Sequence, residues 1–210
     1  MKKLNTAVYI DGFNLYYKIR LTSYKWLDLG KLPSLVLGEN YHIVKIKYFT
    51  AIVKSSPKDP SKPERQKAYL RALSTVPNLE IVEGILKKRK VKGLFLEPLG
   101  RGIEKREIVT VQKYEEKESD VNIASHILVD SMEENLNCII LLSNDTDLKS
   151  PLHFARRKFG KKVGVISPYE RVHFDLKNVS HFNKCITEQV LKESQFPLSV
   201  GKVKKPQAWD

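Results

Sequence analysis

Short apolar runs alternate with amphipathic stretches along most of the chain. Strands are predicted where β-branched and other apolar residues cluster between turn residues. These segments are residues 7–10, 41–53, 79–86, 138–142, 162–167 and 182–187. Helices are predicted where apolar residues recur every three or four positions. These segments are residues 14–19, 29–37, 61–76, 119–135, 148–159 and 187–194. The alternation predicts an α/β fold, a three-layer α/β/α domain with a mainly parallel central sheet.

Local signals define several boundaries. Gly38 and Gly160 each follow a predicted helix, where glycine commonly ends one. Ser61 and Glu64 form a capping-box pattern, which predicts that the third helix begins there. Lys45 and Lys47 alternate with apolar residues, so we expect one face of their strand to meet solvent. Residues 196–210 contain two prolines and three lysines and are expected to form an extended tail.

The pattern changes over residues 87–113, where basic residues outnumber acidic ones and glycine and proline interrupt short apolar pieces. This composition predicts a basic β-hairpin or loop that leaves the edge of the sheet. We therefore predict one domain over residues 1–187, including this basic excursion, followed by a C-terminal tail over residues 188–210.

Charge points to the class of partner. The chain has 37 Lys plus Arg against 24 Asp plus Glu, a formal net charge of +13. This excess favours a polyanion such as RNA or DNA, although solvated surface lysines are the alternative interpretation. The two cysteines have no metal-binding or disulfide spacing, and no apolar run is long enough to span a membrane. We expect a cytoplasmic protein, and the sequence leaves open whether it forms a homo-oligomer.

Acidic residues occur at three separated places that a parallel sheet would bring together. Asp11 ends the first predicted strand, Asp145 and Asp147 follow the strand at 138–142, and Asp120 begins the helix before that strand. Sites in open α/β sheets form beyond the carboxyl ends of the strands. A helix that crosses back over such a sheet begins at that same edge. The sequence therefore predicts that these four carboxylates share one rim.

Clustered carboxylates favour a bound cation. Two unit charges ~4 Å apart repel by roughly 4 kcal/mol at an effective dielectric of ~20. A divalent ion with oxygen ligands, Mg²⁺ or Mn²⁺, reverses the sign of that interaction. Each segment alone also fits a structural role: a turn at Asp11, a helix cap at Asn14, a solvated charge run before Asp120 and a capped turn over residues 144–147 before Leu148. The metal site depends on all three segments meeting.

These motifs together resemble the NYN domains, a branch of the PIN-like nuclease superfamily. The similarity lies in Asp11 with Asn14, in Lys117 with Asp120, and in the run from Ser143 to Asp147, and it covers residues 7–187. The resemblance implies a PIN-like Rossmannoid sheet and metal-dependent cleavage of phosphodiester bonds, usually in RNA. Asn144 stands where the family has glycine, so a non-glycine residue is expected to make a tight turn there.

The resemblance also implies roles. Asp11, Asp120, Asp145 and Asp147 would hold one or two Mg²⁺ or Mn²⁺ ions. Asn14 would orient the attacking water or a phosphate oxygen, and Lys117 would steady the scissile phosphate or a metal-bound water. Contacts with the nucleic-acid backbone are expected from the basic excursion. These residues are Lys87, Lys88, Arg89, Lys90, Lys92, Arg101, Lys105 and Arg106. Tyr16 and Tyr17 are candidates for stacking on unpaired bases, with core packing as the alternative.

Four functions remain open at this stage. A metal-dependent endoribonuclease is the leading hypothesis, and a DNA-directed nuclease is its variant. A module of the same fold that binds RNA or DNA without cleaving it is the second. A phosphatase of the haloacid-dehalogenase type also uses a strand-ending aspartate, but that chemistry requires a second aspartate where this chain has Phe13.

Overall fold

The structure is a computed structural model that describes the backbone of residues 3–100 and 103–209 and the side chains of residues 3–95 and 106–209. The strands are β1 (Leu4–Asp11), β2 (Tyr41–Ala51), β3 (Leu79–Gly100), β4 (Ile103–Lys117), β5 (Cys138–Leu142), β6 (Lys162–Ser167), β7 (Phe182–Cys185), β8 (Ser199–Val200) and β9 (Val203–Lys204). The helices are α1 (Gly12–Ile19), α2 (Lys31–Leu37), α3 (Lys62–Leu73), α4 (Ser119–Asp130), α5 (Lys149–Arg157), α6 (Phe174–Val179) and α7 (Glu188–Glu193).

The central sheet has the strand order β4-β3-β2-β1-β5-β6-β7. Neighbouring strands are parallel, except that β3 and β4 are antiparallel. The chain moves outward from β1 through β2 and β3, then returns to the other side of β1 and continues through β5, β6 and β7. The reversal between β1 and β5 is the point where open α/β sheets bind ligands, at the carboxyl ends of the strands.

Helices cover both faces of this sheet, which confirms the predicted α/β fold. Val8 and Ile10 of β1 pack with α1, α2, α3 and α7 on one face. Ala7 and Tyr9 point the other way and pack with α4, α5 and α6. Successive side chains of a strand alternate between faces, so a strand buried on both faces is apolar throughout. Every residue of β5 is accordingly buried.

The predicted basic hairpin forms, and it is longer than the sheet requires. Beyond the parallel part of the sheet, β3 and β4 pair with each other from Ile85 and Lys117 to Gly100 and Ile103. We call this antiparallel ribbon, residues 85–117, the arm. Arg101 lies outside the described residues, as does the side chain of Lys105. In the arm, Leu94 and Ile108 are among the exposed apolar side chains.

The prediction that Lys47 meets solvent is wrong. Lys47 is 7% exposed, and its ammonium group lies 2.8 Å from a carboxylate oxygen of Asp130 in α4. Lys45 lies on the same face and donates to the other Asp130 oxygen at 3.0 Å. The alternating pattern therefore marks a face that packs on α4 through ion pairs and not a face in water.

The predicted capping box at Ser61 is also wrong, although α3 begins at the expected place. The Ser61 side chain makes no hydrogen bond to the helix backbone. Its hydroxyl instead accepts from the Arg65 guanidinium at 2.6 Å, and the same guanidinium pairs with Asp59. The Arg65 guanidinium thus takes the Ser61 hydroxyl as its acceptor, in place of the free backbone N–H groups of the first turn.

The C-terminal residues do not form the expected extended tail. Trp209 packs on Trp26 and Tyr69, with ring centroids 6.1 and 5.8 Å apart, and the Trp26 indole donates to the Pro197 carbonyl at 2.8 Å. Aromatic burial of this kind stabilises a segment that turn residues alone would leave extended. The division into a domain and a tail at residue 187 stays a prediction. Among the described residues, no helix has the length and apolar character needed to cross a membrane.

Candidate metal centre and nucleic-acid interface

Three carboxylates from distant parts of the chain meet at the switch point of the sheet. One carboxylate oxygen from each of Asp11, Asp120 and Asp145 lies within 4.8 Å of the other two. Asp11 ends β1, Asp145 follows β5, and Asp120 is the second residue of α4. The positions agree with the rim predicted from topology, and the group is one that can bind a divalent cation.

Asp11 is held in place by hydrogen bonds to both of its carboxylate oxygens. Oδ1 accepts from the Asn14 backbone N–H at 3.0 Å and so caps α1, and Oδ2 accepts from the Ser143 hydroxyl at 2.8 Å. The residue is 6% exposed. Burial raises the pKa of the Asp11 carboxyl and the Asp145 charge adds to that effect, although the two hydrogen bonds oppose it. Gly12 allows this packing, because a Cβ there would lie 2.4 Å from the Phe49 carbonyl oxygen.

Asp120 is presented by a tight reversal between β4 and α4. Glu118 adopts the left-handed conformation, with φ of 83°, which is unusual for a residue with a side chain. Gly84 lets the reversal approach β3, since a Cβ there would lie 2.8 Å from the Lys117 carbonyl oxygen and 3.0 Å from the Ser119 hydroxyl. Partial burial, followed by the charges of Asp145, Asp11, Glu116 and Asp147, raises the pKa of the Asp120 carboxyl to about 6. The surroundings thus disfavour its charged form.

Asp145 is positioned by a turn that needs no unusual backbone. Its carboxylate accepts from the Asp147 N–H at 3.0 Å, and its own N–H donates to the Ser143 hydroxyl at 3.0 Å. Asn144 is absent from the residues of positive φ in the described chain, so it occupies the family's glycine position without a left-handed backbone. Its side-chain oxygen accepts from the His173 N–H at 2.7 Å, and its N–H donates to the Asn14 side-chain oxygen at 3.1 Å. The Asn144 side chain therefore links the turn after β5 to the residue before α6, a contact that glycine could not make.

An open cleft of about 480 Å³ surrounds the three carboxylates, and we call it the acidic cleft. Asn14 lines it with them, as the sequence predicted. Its lining also includes Lys54, Lys62, Tyr114, Glu116 and Tyr169, none of which was predicted. Two lysines bring positive charge to a carboxylate cluster, which suits a phosphate group bound beside a metal ion.

Two predicted site residues lie outside this lining. Lys117 points its ammonium group toward Glu115, at 3.5 Å, although its backbone packs at Gly84. Asp147 is solvent-exposed inside the short 3₁₀ turn Thr146–Leu148, and the group of three close carboxylates does not include it. Its charge still raises the pKa of Asp120. The roles of both residues stay predictions.

A buried hydroxyl supports a ligand in the acidic cleft. Ser119 is 3% exposed and lines the cleft, yet its hydroxyl has no hydrogen-bond partner among the described residues. Buried polar groups are normally satisfied by protein, water or an ion. The three close carboxylates line the same cleft, and the residues present fit a hydrated Mg²⁺ or Mn²⁺ ion, which retains several waters.

The arm has two faces, and one of them continues into the acidic cleft. Residues paired across antiparallel strands share a face, and so do residues two apart on one strand. Leu86, Tyr114 and Glu116 line the cleft. Lys88 pairs with Tyr114, and Lys90 and Lys92 follow on the same face. Lys87, Arg89 and Lys113 are on the opposite face with Glu115, which lies 3.8 Å from both Arg89 and Lys113.

A second cavity of about 200 Å³ lies beside the acidic cleft, and we call it the aromatic cavity. Its aromatic lining consists of Phe13, Tyr16, Tyr17, Tyr48, Tyr69 and Trp209. Its charged lining residues are Arg20, Lys25, Lys62 and Arg65. No carboxylate of the described chain lines it. The sequence pattern indicates only Tyr16 and Tyr17 as stacking residues, because the other rings come from segments far apart in the chain.

Comparisons with known proteins show what this chain is similar to. The chain is 31% identical to 6-hydroxy-3-succinoylpyridine 3-monooxygenase HspA of Pseudomonas putida (strain DSM 28022 / S16), over 98% of this chain and 75% of that protein. Its fold resembles the crystal structure of VPA0982, a protein of unknown function from Vibrio parahaemolyticus RIMD 2210633, with a TM-score of 0.58 and 19% identity over 89% of this chain and 94% of that one. The model of the NYN domain family matches residues 5–187, and the chain belongs to that family.

Proposed function

We propose that this protein is a metal-dependent endoribonuclease. The observation that carries the proposal is the meeting of Asp11, Asp120 and Asp145 in an open cleft of a chain with a net charge of +13. An acidic metal centre on a basic protein suits an enzyme that binds a polyanion and hydrolyses it. The nuclease-type fold of the NYN family supports the same conclusion.

Asp11, Asp120 and Asp145 would hold one or two Mg²⁺ or Mn²⁺ ions. A divalent ion bound there lowers the pKa of a coordinated water and neutralises charge on the phosphate. Asn14 shares its side-chain oxygen with the Asn144 N–H, which leaves its amide N–H₂ group to orient a water or a phosphate oxygen. Lys54 and Lys62 are the lysines that line the cleft and would bind the phosphate. Lys117 can take the role implied by the family only by leaving Glu115.

The direct test is incubation of the purified protein with a long unpaired RNA in Mn²⁺, in Mg²⁺ and in EDTA. Internal cleavage in either metal and none in EDTA is the expected result. Single-stranded DNA in parallel reactions distinguishes the DNA-directed variant. Binding of RNA without cleavage in any metal would favour the inactive binding module and reject the nuclease.

Removal of the Asp120 carboxylate should raise thermal stability without metal and lower it, relative to the wild type, when metal is bound. In EDTA, Asp120→Asn should raise the Tm by about 2–4 °C, because relieving on the order of 1 kcal/mol of repulsion at this screened site has that effect in a protein of this size. In Mn²⁺ at ~100 times its Kd, the wild type should gain roughly 2.7 kcal/mol, and the variant much less. Thermal melts with and without metal test this.

Glu170→Gln is the matched control for that experiment. Glu170 is highly exposed, and its one ion pair among the described residues is a 3.8 Å contact to Lys18, so the same change of charge should leave both melts unchanged. Equal gains from Mn²⁺ in the wild type and in Asp120→Asn would contradict a metal site at Asp120.

RNA is expected to follow the face of the arm that leads into the cleft. Lys88, Lys90 and Lys92 are exposed there, and none has an acidic partner among the described residues. Replacing all three by alanine should weaken RNA binding by roughly 10- to 100-fold at low salt and reduce the slope of log K against log salt by about 2. Fluorescence anisotropy over a salt series measures both quantities.

The opposite face supplies a control of equal charge. The triple variant Lys87→Ala, Arg89→Ala and Lys113→Ala also removes three cations, but two of these pair with Glu115. This variant should change the slope of log K against log salt by less than half as much as the variant of Lys88, Lys90 and Lys92. Equal effects from the two triple variants would mean that overall charge, and not this face, attracts RNA.

The named relative supports a second candidate function, oxygenation of a heteroaromatic acid. The relative's name states that it acts as a monooxygenase on a succinoylpyridine. The aromatic cavity, with four cations and no carboxylate in its described lining, has the chemistry to hold such a compound. Uptake of dioxygen that requires 6-hydroxy-3-succinoylpyridine and a two-electron donor, in the absence of any RNA cleavage, would favour this function over the nuclease.

A further inference from the structure

The aromatic cavity and the acidic cleft share part of their wall. Phe13, Tyr17, Val53 and Lys62 line both of them. A strand of nucleic acid with one phosphate at the three carboxylates therefore passes the mouth of the aromatic cavity. The base that enters the aromatic cavity would belong to a neighbouring nucleotide.

The size of the cavity suits one planar ring system. An apolar cavity of about 150 Å³ accommodates benzene, so a cavity of about 200 Å³ has room for a single six-membered ring with polar substituents. Tyr48 and Tyr69 form the buried part of the wall, and Tyr17 and Trp209 are more exposed at its mouth. Flat aromatic walls of this kind stack on a base whatever its sequence.

The cations around the cavity differ in what they can offer a ligand. The Arg65 guanidinium is bonded to Asp59 and Ser61, and the Arg20 guanidinium lies 5.1 Å from the centre of the Tyr17 ring. The Lys62 ammonium lies 5.6 Å from the centre of the Tyr16 ring, at the boundary between the two cavities, with no carboxylate partner in the described chain. Lys62 is thus the cation that can bind a phosphate joining a nucleotide in the aromatic cavity to one in the acidic cleft.

The polar groups at the floor of the aromatic cavity already make hydrogen bonds within the protein. The Gln66 side chain accepts from the Val53 N–H at 2.8 Å and donates to the Ala51 carbonyl at 3.0 Å, and the Tyr69 hydroxyl donates to the Leu27 carbonyl at 2.9 Å. Few groups remain to read the hydrogen-bonding edge of a base. Stacking would therefore dominate, and sequence preference should be weak.

We propose that the aromatic cavity binds the base of the nucleotide next to the phosphate in the acidic cleft, and that the protein therefore selects unpaired RNA. This inference rests on the proposed nuclease function for the position of the RNA, although binding can be measured without cleavage. A base inside a duplex is stacked and paired and is not available to the cavity. Duplex RNA would bind the arm, but none of its bases would enter the aromatic cavity.

The test measures the affinity of the Asp11→Asn protein for a short single-stranded RNA, with and without Tyr17→Ala. Tyr17 is 55% exposed, so the substitution should not unfold the protein. Loss of one stacked base should lower the affinity roughly 5- to 100-fold. Tyr17→Phe should keep the affinity within about 2-fold, because the ring face remains. Phe154→Ala, at an exposed phenylalanine of α5 outside the cavity lining, is the control and should have no effect.

A double-mutant cycle identifies the base as the occupant. An RNA scanned with a single abasic nucleotide should lose affinity at one position, and Tyr17→Ala should add little further loss at that position. Additive losses at every position would overturn the inference. So would an equal effect of Tyr17→Ala on single-stranded and duplex RNA.

A final comparison distinguishes a nucleotide from a small aromatic acid as the ligand of the aromatic cavity. It also distinguishes failure of this inference from failure of the proposed function. Uridine 5′-monophosphate should quench Trp209 fluorescence, whereas ribose 5-phosphate should not, and pyridine-3-carboxylate should bind more weakly than the nucleotide. Tighter binding of the pyridine acid would overturn the inference. Tyr17-dependent binding of RNA, with no cleavage by the protein that retains Asp11, would reject the nuclease and keep the base site. Cleavage by that protein that is unaffected by Tyr17→Ala would keep the nuclease and reject the base site.

Discussion

Replacing Asp11 by asparagine is expected to lower the rate of RNA cleavage by on the order of 10³-fold, the scale of effect seen when a principal electrostatic group leaves an active site. Asp11 is the most buried of the three close carboxylates. Its removal takes one negative ligand from the cation and leaves two carboxylates to bind it. Single-turnover rates in saturating Mn²⁺ measure the loss in the chemical step.

The fold should tolerate this change, so a loss of activity can be assigned to chemistry. Asparagine keeps an oxygen that accepts from the Asn14 N–H, and its amide N–H₂ can donate to the Ser143 hydroxyl, which rotates to accept. RNA affinity should stay within a few-fold, because the arm and not Asp11 supplies the cations. Binding measured in the same buffer checks that expectation.

Asp147→Asn is the control with the same change of charge at the rim of the site. Asp147 is exposed and outside the group of three, so its removal should cost less than about 10-fold, the lower range for outer-shell partners of a metal. A larger loss at Asp147 than at Asp11 would move the metal centre toward the 3₁₀ turn. Unchanged cleavage in Asp11→Asn would reject the metal centre altogether.

The parts of the fold set by local pattern and by topology could be predicted from the sequence. The CIILL run is fully buried in β5, and the placing of Asp11, Asp120 and Asp145 at one edge follows from the direction of strands and crossover helices. That argument needs the order of elements and no side-chain contact. It is therefore accessible without coordinates.

Features that depend on contacts between distant segments could not be predicted in this way. The partner of Lys47 is Asp130, 83 residues further along the chain, and a lysine in an alternating strand otherwise indicates solvent. Lys54 and Tyr114 reach the cleft from a loop and from the arm, where neither has a motif. The helix α6 has six residues, too few for a helical period to emerge from the pattern.

The ion pairs at Asp130 connect the stability of the fold to the candidate metal centre. Asp130 is 4% exposed and accepts from the Tyr9 hydroxyl at 2.7 Å, while the ammonium groups of Lys47 and Lys45 lie 2.8 and 3.0 Å from its oxygens. Burial alone would raise the pKa of Asp130, but the hydrogen bonds from Lys47, Tyr9 and Lys45 hold it below its usual value. These contacts attach the end of α4 to β1 and β2. Asp120 begins the same helix, so Asp130 helps to set its distance from Asp11.

Asp130→Ala is therefore expected to lower the free energy of unfolding by about 3–5 kcal/mol, because it removes the close partner of the buried Lys47 ammonium and leaves it only the more exposed Glu80, 3.8 Å away. The Tm should fall by roughly 6–20 °C, and urea denaturation gives the energy directly. Lys45→Ala, at a partly exposed partner, should cost less than about 1 kcal/mol. The double variant Asp130→Leu and Lys47→Met should be more stable than Asp130→Ala, since no charge is then left unpaired. A loss below 1 kcal/mol in Asp130→Ala would mean that water reaches Lys47, and α4 would then need another anchor to hold Asp120 beside Asp11.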